Sequence, residues 1–255
     1  MSNDRQQRAA RAEQMRKERE KADKKQRNFI TLAIVTVVIA LIAVGGYAIK
    51  TTSDKNKSET EVINPVNIKK DSFGVVYDTD VVTGTPATNP VSVTVYEDFQ
   101  CPACRSFEEQ SGPFLDAAVA KGEITVEYRP ISFLDEASGG NRYSSRSGSA
   151  AMCTLDKGGV DAFKKMHAIL FANQPEEGTN GMEDPALIDL AKQAGVTGID
   201  SCVKTERFVP WIEAATEASR DAKVSATPTV LIDGKAIETP SAANLQKAID
   251  AAKKA

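Results

Sequence analysis

The run Glu97-Asp98-Phe99-Gln100-Cys101-Pro102-Ala103-Cys104 lies between segments of different period. Before it, Val91-Ser92-Val93-Thr94-Val95-Tyr96 alternates and is β-branched, which predicts a strand. After it, residues 104–121 make one helix length closed by Gly122, and Ile124-Thr125-Val126-Glu127-Tyr128 alternates again. Strand, helix and strand at this spacing predict a βαβ unit with a right-handed crossover and a parallel pair. Pro113, inside the helical stretch, predicts a kink or a split, because it lacks an N–H and crowds the preceding turn.

The two cysteines of this run open the helix. Sulfurs three residues apart can close a small disulfide ring, and Pro102 suits the first helical position, where its missing N–H is not needed. Cys101 then faces the unsatisfied N–H groups at the positive end of the helix, which favours thiolate over thiol. It is expected to be the exposed, attacked sulfur, with Cys104 one turn inside as the buried resolving partner. Two rival readings of C-x-x-C are weaker. A zinc site needs a second pair or a nearby His, and the other cysteines, Cys153 and Cys202, lie far apart in sequence. A purely structural bridge over so short a loop removes little unfolded-state entropy.

Downstream, residues 141–222 carry helix punctuation without strand signals: Asn141 as a start, Gly158-Gly159 as a break, Asp184-Pro185 as N-cap and first turn, Gly195 as a stop and Asp200 as a cap. A helical block of about four helices is expected. Thr229 to Ile232 then reads as a strand, Asp233-Gly234 as a hairpin turn, Lys235 to Glu238 as the returning strand and Ser241 to Ala252 as a helix.

Upstream, Phe29 to Ile49 is an uncharged run long enough to cross a hydrocarbon core of about 30 Å as a helix. Residues 1–28 hold ten basic and five acidic side chains, whereas residues 50–255 hold 22 and 30. The positive-inside rule therefore puts residues 1–28 in the cytoplasm as a basic tail, with a single-pass signal anchor at 29–49. A cleaved signal peptide fits less well, since the apolar run is long and no small-residue cleavage pattern follows. Residues 50–62 read as a polar linker and 63–255 as one extracytoplasmic domain, large enough to bury its own core. Its acidic balance argues against nucleic acid as partner. The single histidine, His167, excludes a His-rich metal site.

With EDFQCPAC at a strand end, a helical insertion, and Ala226-Thr227-Pro228-Thr229 leading into a strand, residues 65–255 resemble DsbA-like thioredoxin-fold thiol:disulfide oxidoreductases, particularly the membrane-anchored actinobacterial type. The resemblance implies an α/β thioredoxin fold, β-α-β followed by β-β-α, with an inserted helical subdomain at about 141–222 and one transmembrane helix before it. It also implies that Thr227-Pro228 is a cis peptide facing the C-x-x-C and that Thr227 helps hold a substrate peptide. Local sequence alone makes Pro228 a turn or strand-start residue. Two departures from the family pattern stand out: Pro102-Ala103 carries no His beside the nucleophile, and Val95 occupies the position of the buried acid six residues before the first cysteine. Glu97 or Asp98 is the candidate substitute as proton carrier for Cys104, against a reading of both as solvated or capping carboxylates.

An even cysteine count in a disulfide-permitting compartment suggests a structural Cys153–Cys202 bridge, with two buried free thiols as the alternative. Such anchored proteins carry a bridge of this kind, which supports pairing. His167, on a helix whose apolar face is Phe163, Met166, Leu170 and Phe171, is expected to be partly exposed, and Arg142, Arg146, Lys164 and Lys165 to form a solvated face.

These readings converge on a monomeric extracytoplasmic domain that oxidises reduced exported proteins by dithiol–disulfide exchange. It would need neither metal nor organic cofactor, and the resemblance implies reoxidation by a quinone-linked membrane partner of the DsbB or VKOR-like kind. A tethered reductase, for example in apocytochrome maturation, and a non-catalytic peptide-binding or chaperone module are the alternatives.

Overall fold

The computed structural model describes residues 62–66, 68 and 72–254. The predicted basic tail, anchor and nearly all of the linker lie outside them; among the described residues, no helix is long and apolar enough to cross a membrane.

The alternation at Val91–Glu97 folds as β2 and that at Ile124–Pro130 as β3, with α2 at Pro102–Ala120 between them. They follow β1 at Val75–Tyr77 and α1 at Thr79–Thr83. β2 is the central strand. It pairs parallel with β3, placing Val93 against Val126 and Val95 against Tyr128, and antiparallel with β4 at Thr229–Ile232, placing Val93 against Ile232 and Val95 against Val230. β1 closes one side on β3, and β5 at Lys235–Ala236 closes the other on β4, so the order is β1-β3-β2-β4-β5. Side chains that alternate in sequence thus reach one buried layer: Val93, Val95, Ile124, Val126 and Tyr128 are all fully buried.

Between β3 and β4 lie a 3-10 turn at Asp135–Ser138, α3 at Tyr143–Ala172, α4 at Asp184–Gln193, α5 at Asp200–Lys204 and α6 at Val209–Asp221, with α7 at Ala242–Ala252 closing the chain. α3 packs on α4, α5 and α6 and on β1; α2 packs on β3 and on α7, which in turn packs on β4. The expected break in the helical block is present, since Gly159 leaves helical geometry at φ 78° and ψ −174°, a conformation that suits glycine.

Several expectations are corrected. Pro113 does not split the helix, and α2 runs through it as one element. The turns on both sides are held by burial, Phe107 and Ser111 before it and Leu115, Ala118 and Val119 after it, which outweighs one missing backbone hydrogen bond. The returning strand is two residues rather than four, although the Ile237 N–H still donates to the Val230 carbonyl at 2.9 Å. Asp184 is not an N-cap, since Glu183 takes that position and Asp184 pairs with Arg146. Arg146 is therefore not on a solvated face. It is buried, donating to Asp184, to Asn141 Oδ1 at 2.6 Å and to the Met182 carbonyl at 3.0 Å, which is how a buried guanidinium is satisfied.

Candidate active site

Cys101 is the N-cap of α2 and Pro102 its first helical residue, as the motif requires. The Cys101 carbonyl accepts from the N–H groups of Cys104 at 3.1 Å and Arg105 at 3.2 Å, and the Cys101 N–H donates to the Asp98 carbonyl at 2.9 Å. The nucleophile candidate is thus fixed by the turn that joins β2 to α2. It is not an exposed sulfur, however. Cys101 is 7% exposed, and its Sγ lies 3.3 Å from the Thr227 carbonyl in the loop before β4. The peptide between Thr227 and Pro228 is cis, and among the described residues it is the only such bond.

The two sulfurs are free thiols in this structure and differ sharply in acidity. A hydrogen bond from the Cys104 thiol pulls Cys101 down to about 6, helped by the Thr227 side chain and by the N–H groups of Cys104 and Ala103, and opposed by burial. Burial pushes Cys104 far above the ordinary thiol value, and the hydrogen bond to Cys101 and the nearby charge of Cys101 and Glu97 push the same way. The absent His between the cysteines is therefore not needed to make Cys101 a thiolate near neutral pH, since short-range donors do that work.

Glu97 and Asp98 are both fully buried, which removes the solvated reading for each. They divide the site. Asp98 faces the nucleophile: its carboxylate accepts from the Gln100 N–H at 2.8 Å and the Leu134 N–H at 2.9 Å, and burial lifts it to about 6 despite those bonds, with the Cys101 charge adding to the lift. Glu97, at the end of β2, points to the other side, where its Oε1 lies 2.6 Å from His167 Nε2. Burial holds the Glu97 carboxyl well above the usual range, while Lys164 acts to lower it.

His167 is the main correction. It is fully buried, enclosed by the rings of Phe99, Tyr128, Phe163 and Phe171 at 4.5 to 6.0 Å, and burial lowers it to about 4. The spacing contained this: His167 stands four residues from both Phe163 and Phe171, on the apolar face itself. Lys164 is likewise mostly covered, lying 3.1 Å from Asp116 and 5.3 Å from the Tyr128 ring centroid. Arg142 and Lys165 are the more exposed pair of the four cations.

Sequence reasoning gave no role to Gln174. Its side-chain amide donates to the carbonyls of Phe99 at 3.1 Å and Cys101 at 3.0 Å, tying the end of α3 to the nucleophile's turn. No motif signals a glutamine acting across 73 residues. Cys153 on α3 and Cys202 on α5 are joined in a disulfide with Cα atoms 6.0 Å apart, inside the helical block.

Comparison with known proteins agrees with this geometry. The family described as thioredoxin matches residues 77–251, and a second, described as an uncharacterized protein conserved in bacteria, matches residues 6–100. The crystal structure of reduced DsbA from Mycobacterium tuberculosis is 31% identical and superposes with a TM-score of 0.61, covering 70% of this chain and 91% of that one. The probable disulfide bond formation protein D of Bacillus cereus is 22% identical over 231 residues, 89% of this chain and 97% of that protein. Serine/threonine-protein kinase PknE of Mycobacterium tuberculosis is 29% identical over 122 residues, 46% of this chain, and the chain spans only 21% of that kinase's length. A low-pKa cysteine capping a helix, its buried partner one turn on and a cis-proline loop against the first of them accompany these matches, and the chain belongs to the thioredoxin family, among its DsbA-like thiol:disulfide oxidoreductases.

Proposed function

We propose that the chain is a membrane-anchored, extracytoplasmic oxidase that introduces disulfides into exported proteins through Cys101 and Cys104. The observation that carries this reading is the divided acidity of the pair, with Cys101 lowered to about 6 and Cys104 raised. A stabilised Cys101 thiolate is a good leaving group, so a disulfide made through it is readily given away.

In the oxidised enzyme, a substrate thiolate attacks Cys101 Sγ, and the Cys101–Cys104 bond breaks with its electron pair going to Cys104. Cys104 takes a proton, and Glu97, whose charge acts on that sulfur, is the carrier on its side. A second substrate thiolate attacks the substrate sulfur of the mixed disulfide, releasing Cys101 as thiolate. The substrate leaves oxidised and the enzyme reduced by two electrons. Thr227, whose carbonyl faces Cys101, and Pro228 line the place where the substrate peptide would lie. Reoxidation falls to a disulfide-bearing membrane partner of the DsbB or VKOR-like kind. The Phe29 to Ile49 run would hold the enzyme at that membrane, with its first residues in the cytoplasm.

The test is the reduction potential of the Cys101/Cys104 couple, together with its state in cells. A value of about −120 to −180 mV, with the pair disulfide-bonded at steady state, supports the oxidase. A value near about −270 mV, with free thiols in cells, selects a tethered reductase instead. Cys104→Ala should trap mixed disulfides with exported proteins. If it traps none and Cys101→Ser leaves cellular function intact, a peptide-binding module replaces both enzyme readings.

A further inference from the structure

The proton that Cys104 gains and loses in each cycle needs a route, because Cys104 and Glu97 are both fully buried. Behind them stands a group of side chains that the exchange chemistry itself leaves unused. Glu97, Glu108 and His167 each offer a polar atom within 4.8 Å of the others. Glu97 and His167 are already hydrogen-bonded at 2.6 Å, and 4.8 Å is a span that one water molecule bridges. Glu97 Oε2, Glu108 Oε1 and His167 Nδ1 are buried without a protein hydrogen-bond partner. Such atoms are costly unless they exchange protons or bind water.

Glu108 stands one turn after Cys104 on the same face of α2 and is half-buried, with its Oε1 enclosed. It lines a cavity of about 290 Å³ together with Gly112, Asp116 and Lys164, and the exposed Glu109 lies on its rim. Gly112 leaves that carboxylate room, since a Cβ there would come 3.0 Å from Glu108 Oε2. The charged and titratable groups facing the three come from every neighbouring element: Cys104 and Asp116 on α2, Tyr128 on β3, Tyr77 on β1 and Lys164 on α3. Lys164 already supplies a cation here, which disfavours a metal ion and suits a group that moves protons.

We propose that His167 and Glu108 are relay residues that carry the Cys104 proton between Glu97 and solvent at this cavity. On reoxidation the Cys104 S–H bond breaks and its proton passes to Glu97. One proton moves from Glu97 to His167, another from His167 to Glu108, and one leaves Glu108 for water. Meanwhile the Cys104 thiolate attacks the Cys101 sulfur of a mixed disulfide and expels the partner thiolate. Substrate oxidation runs the same transfers inward. Glu108 is held near neutrality, at about 7, by burial, which suits an exit group.

This rests on the exchange role of Cys101 and Cys104. The experiment mixes the reduced full-length chain with excess oxidised glutathione and follows, by acid quench, closure of the Cys101–glutathione mixed disulfide by Cys104 from pH 5.5 to 8.5. Parent, Glu108→Gln, Glu108→Asp and His167→Gln are compared, with Cys101 alkylation as a control. Closure in Glu108→Gln and His167→Gln should slow by about ten-fold or more, within the reach of a lost positioned proton transfer. The pH profile should shift, Glu108→Asp should recover most of the rate, and Cys101 alkylation should be unmoved. Closure within two-fold of the parent, with the same pH profile, in Glu108→Gln would overturn the relay and leave the oxidase reading standing. A uniform slowing at every pH with altered Cys101 alkylation would also overturn it, as a packing effect. If the parent itself forms no mixed disulfide, the exchange reading fails first and the relay with it.

Discussion

Glu97 and His167, 70 residues apart in sequence and both fully buried, meet at 2.6 Å, joining the end of the central strand to the longest helix beside the C-x-x-C. A buried acid and a buried imidazole at that distance share one proton, and burial pushes the acid up and the base down. The site thus holds two unlike acids, Glu97 paired with an imidazole and Asp98 held by the backbone N–H groups of Gln100 and Leu134.

Cys104 is the largest influence lowering the pKa of Cys101. Replacing it with Ala should therefore raise the Cys101 pKa by about one to two units, and Cys104→Ser, which keeps a donor, should raise it less. Iodoacetamide alkylation rates against pH, half-maximal near pH 6 for the parent, measure this directly. An unchanged midpoint in Cys104→Ala would remove the thiol–thiolate hydrogen bond from the account.

Asp98 and Glu97 should separate under conservative substitution. The Cys101 charge helps raise Asp98, and since such coupling is reciprocal, Asp98→Asn should move the Cys101 alkylation midpoint downward. It also replaces a carboxylate that accepts from two backbone N–H groups, which costs about 1–3 kcal/mol of stability by urea unfolding. Glu97→Gln should leave that midpoint in place and slow the step at Cys104.

Stability of the disulfide form should rise as the pH falls from 8 to 5. Asp98 and Glu108, at about 6 and about 7, and Glu97 all titrate above their unfolded values, so the folded state holds protons the unfolded chain releases. Their contribution is complete at low pH and is lost as pH rises through those values. His167, lowered to about 4, acts the other way, losing stability as pH falls from 6.5 through 4. Three groups oppose one, so Tm should be higher at pH 5 than at pH 8; the reverse order would show that these carboxyls are ionised when buried. In the dithiol form Cys101 adds an opposite trend, since its lowered value favours the folded state above about pH 6.

Removing the Cys153–Cys202 bridge should cost stability and spare chemistry. It closes a loop across 49 residues, and Cys153→Ala with Cys202→Ala should lower the unfolding free energy by about 2–4 kcal/mol. Cys101 alkylation should keep its pH midpoint, because neither residue is among the groups that set the acidity of Cys101. A shifted midpoint would show that the helical block sets the nucleophile's acidity through Gln174.

The parts of this fold that were legible in the sequence are those set by local rules. Alternation marked β2 and β3, a short apolar run before the Asp233-Gly234 turn marked β4, and Cys101-Pro102 at a helix start placed the reactive pair. β1 was missed because three residues carry no measurable period, and β5 was overdrawn because only two of its residues pair with β4. The cis peptide at Pro228 came from resemblance and not from its neighbours. What stayed hidden was long-range. Arg146 looked solvated until Asn141, Met182 and Asp184 surrounded it, and Gln174 had no signal at all. His167 differs: its apolar spacing was plain, yet a polar ring was expected at least partly in solvent, whereas Glu97 and four aromatic rings enclose it.

The bridge in the helical block also bears on how this protein is made. A newly made chain carries four thiols, which can close in three complete pairings, and only one of these joins Cys101 to Cys104. Neighbours at a helix start find each other quickly, whereas Cys153 and Cys202 meet only once α3 and α5 have packed. Under the oxidase reading proposed above, a finished copy is a donor for the next unfinished one, so each generation would mature on the one before. Pulse-labelled chains should gain the Cys153–Cys202 bridge more slowly in cells depleted of mature enzyme, and equal rates would assign that bridge to another oxidant.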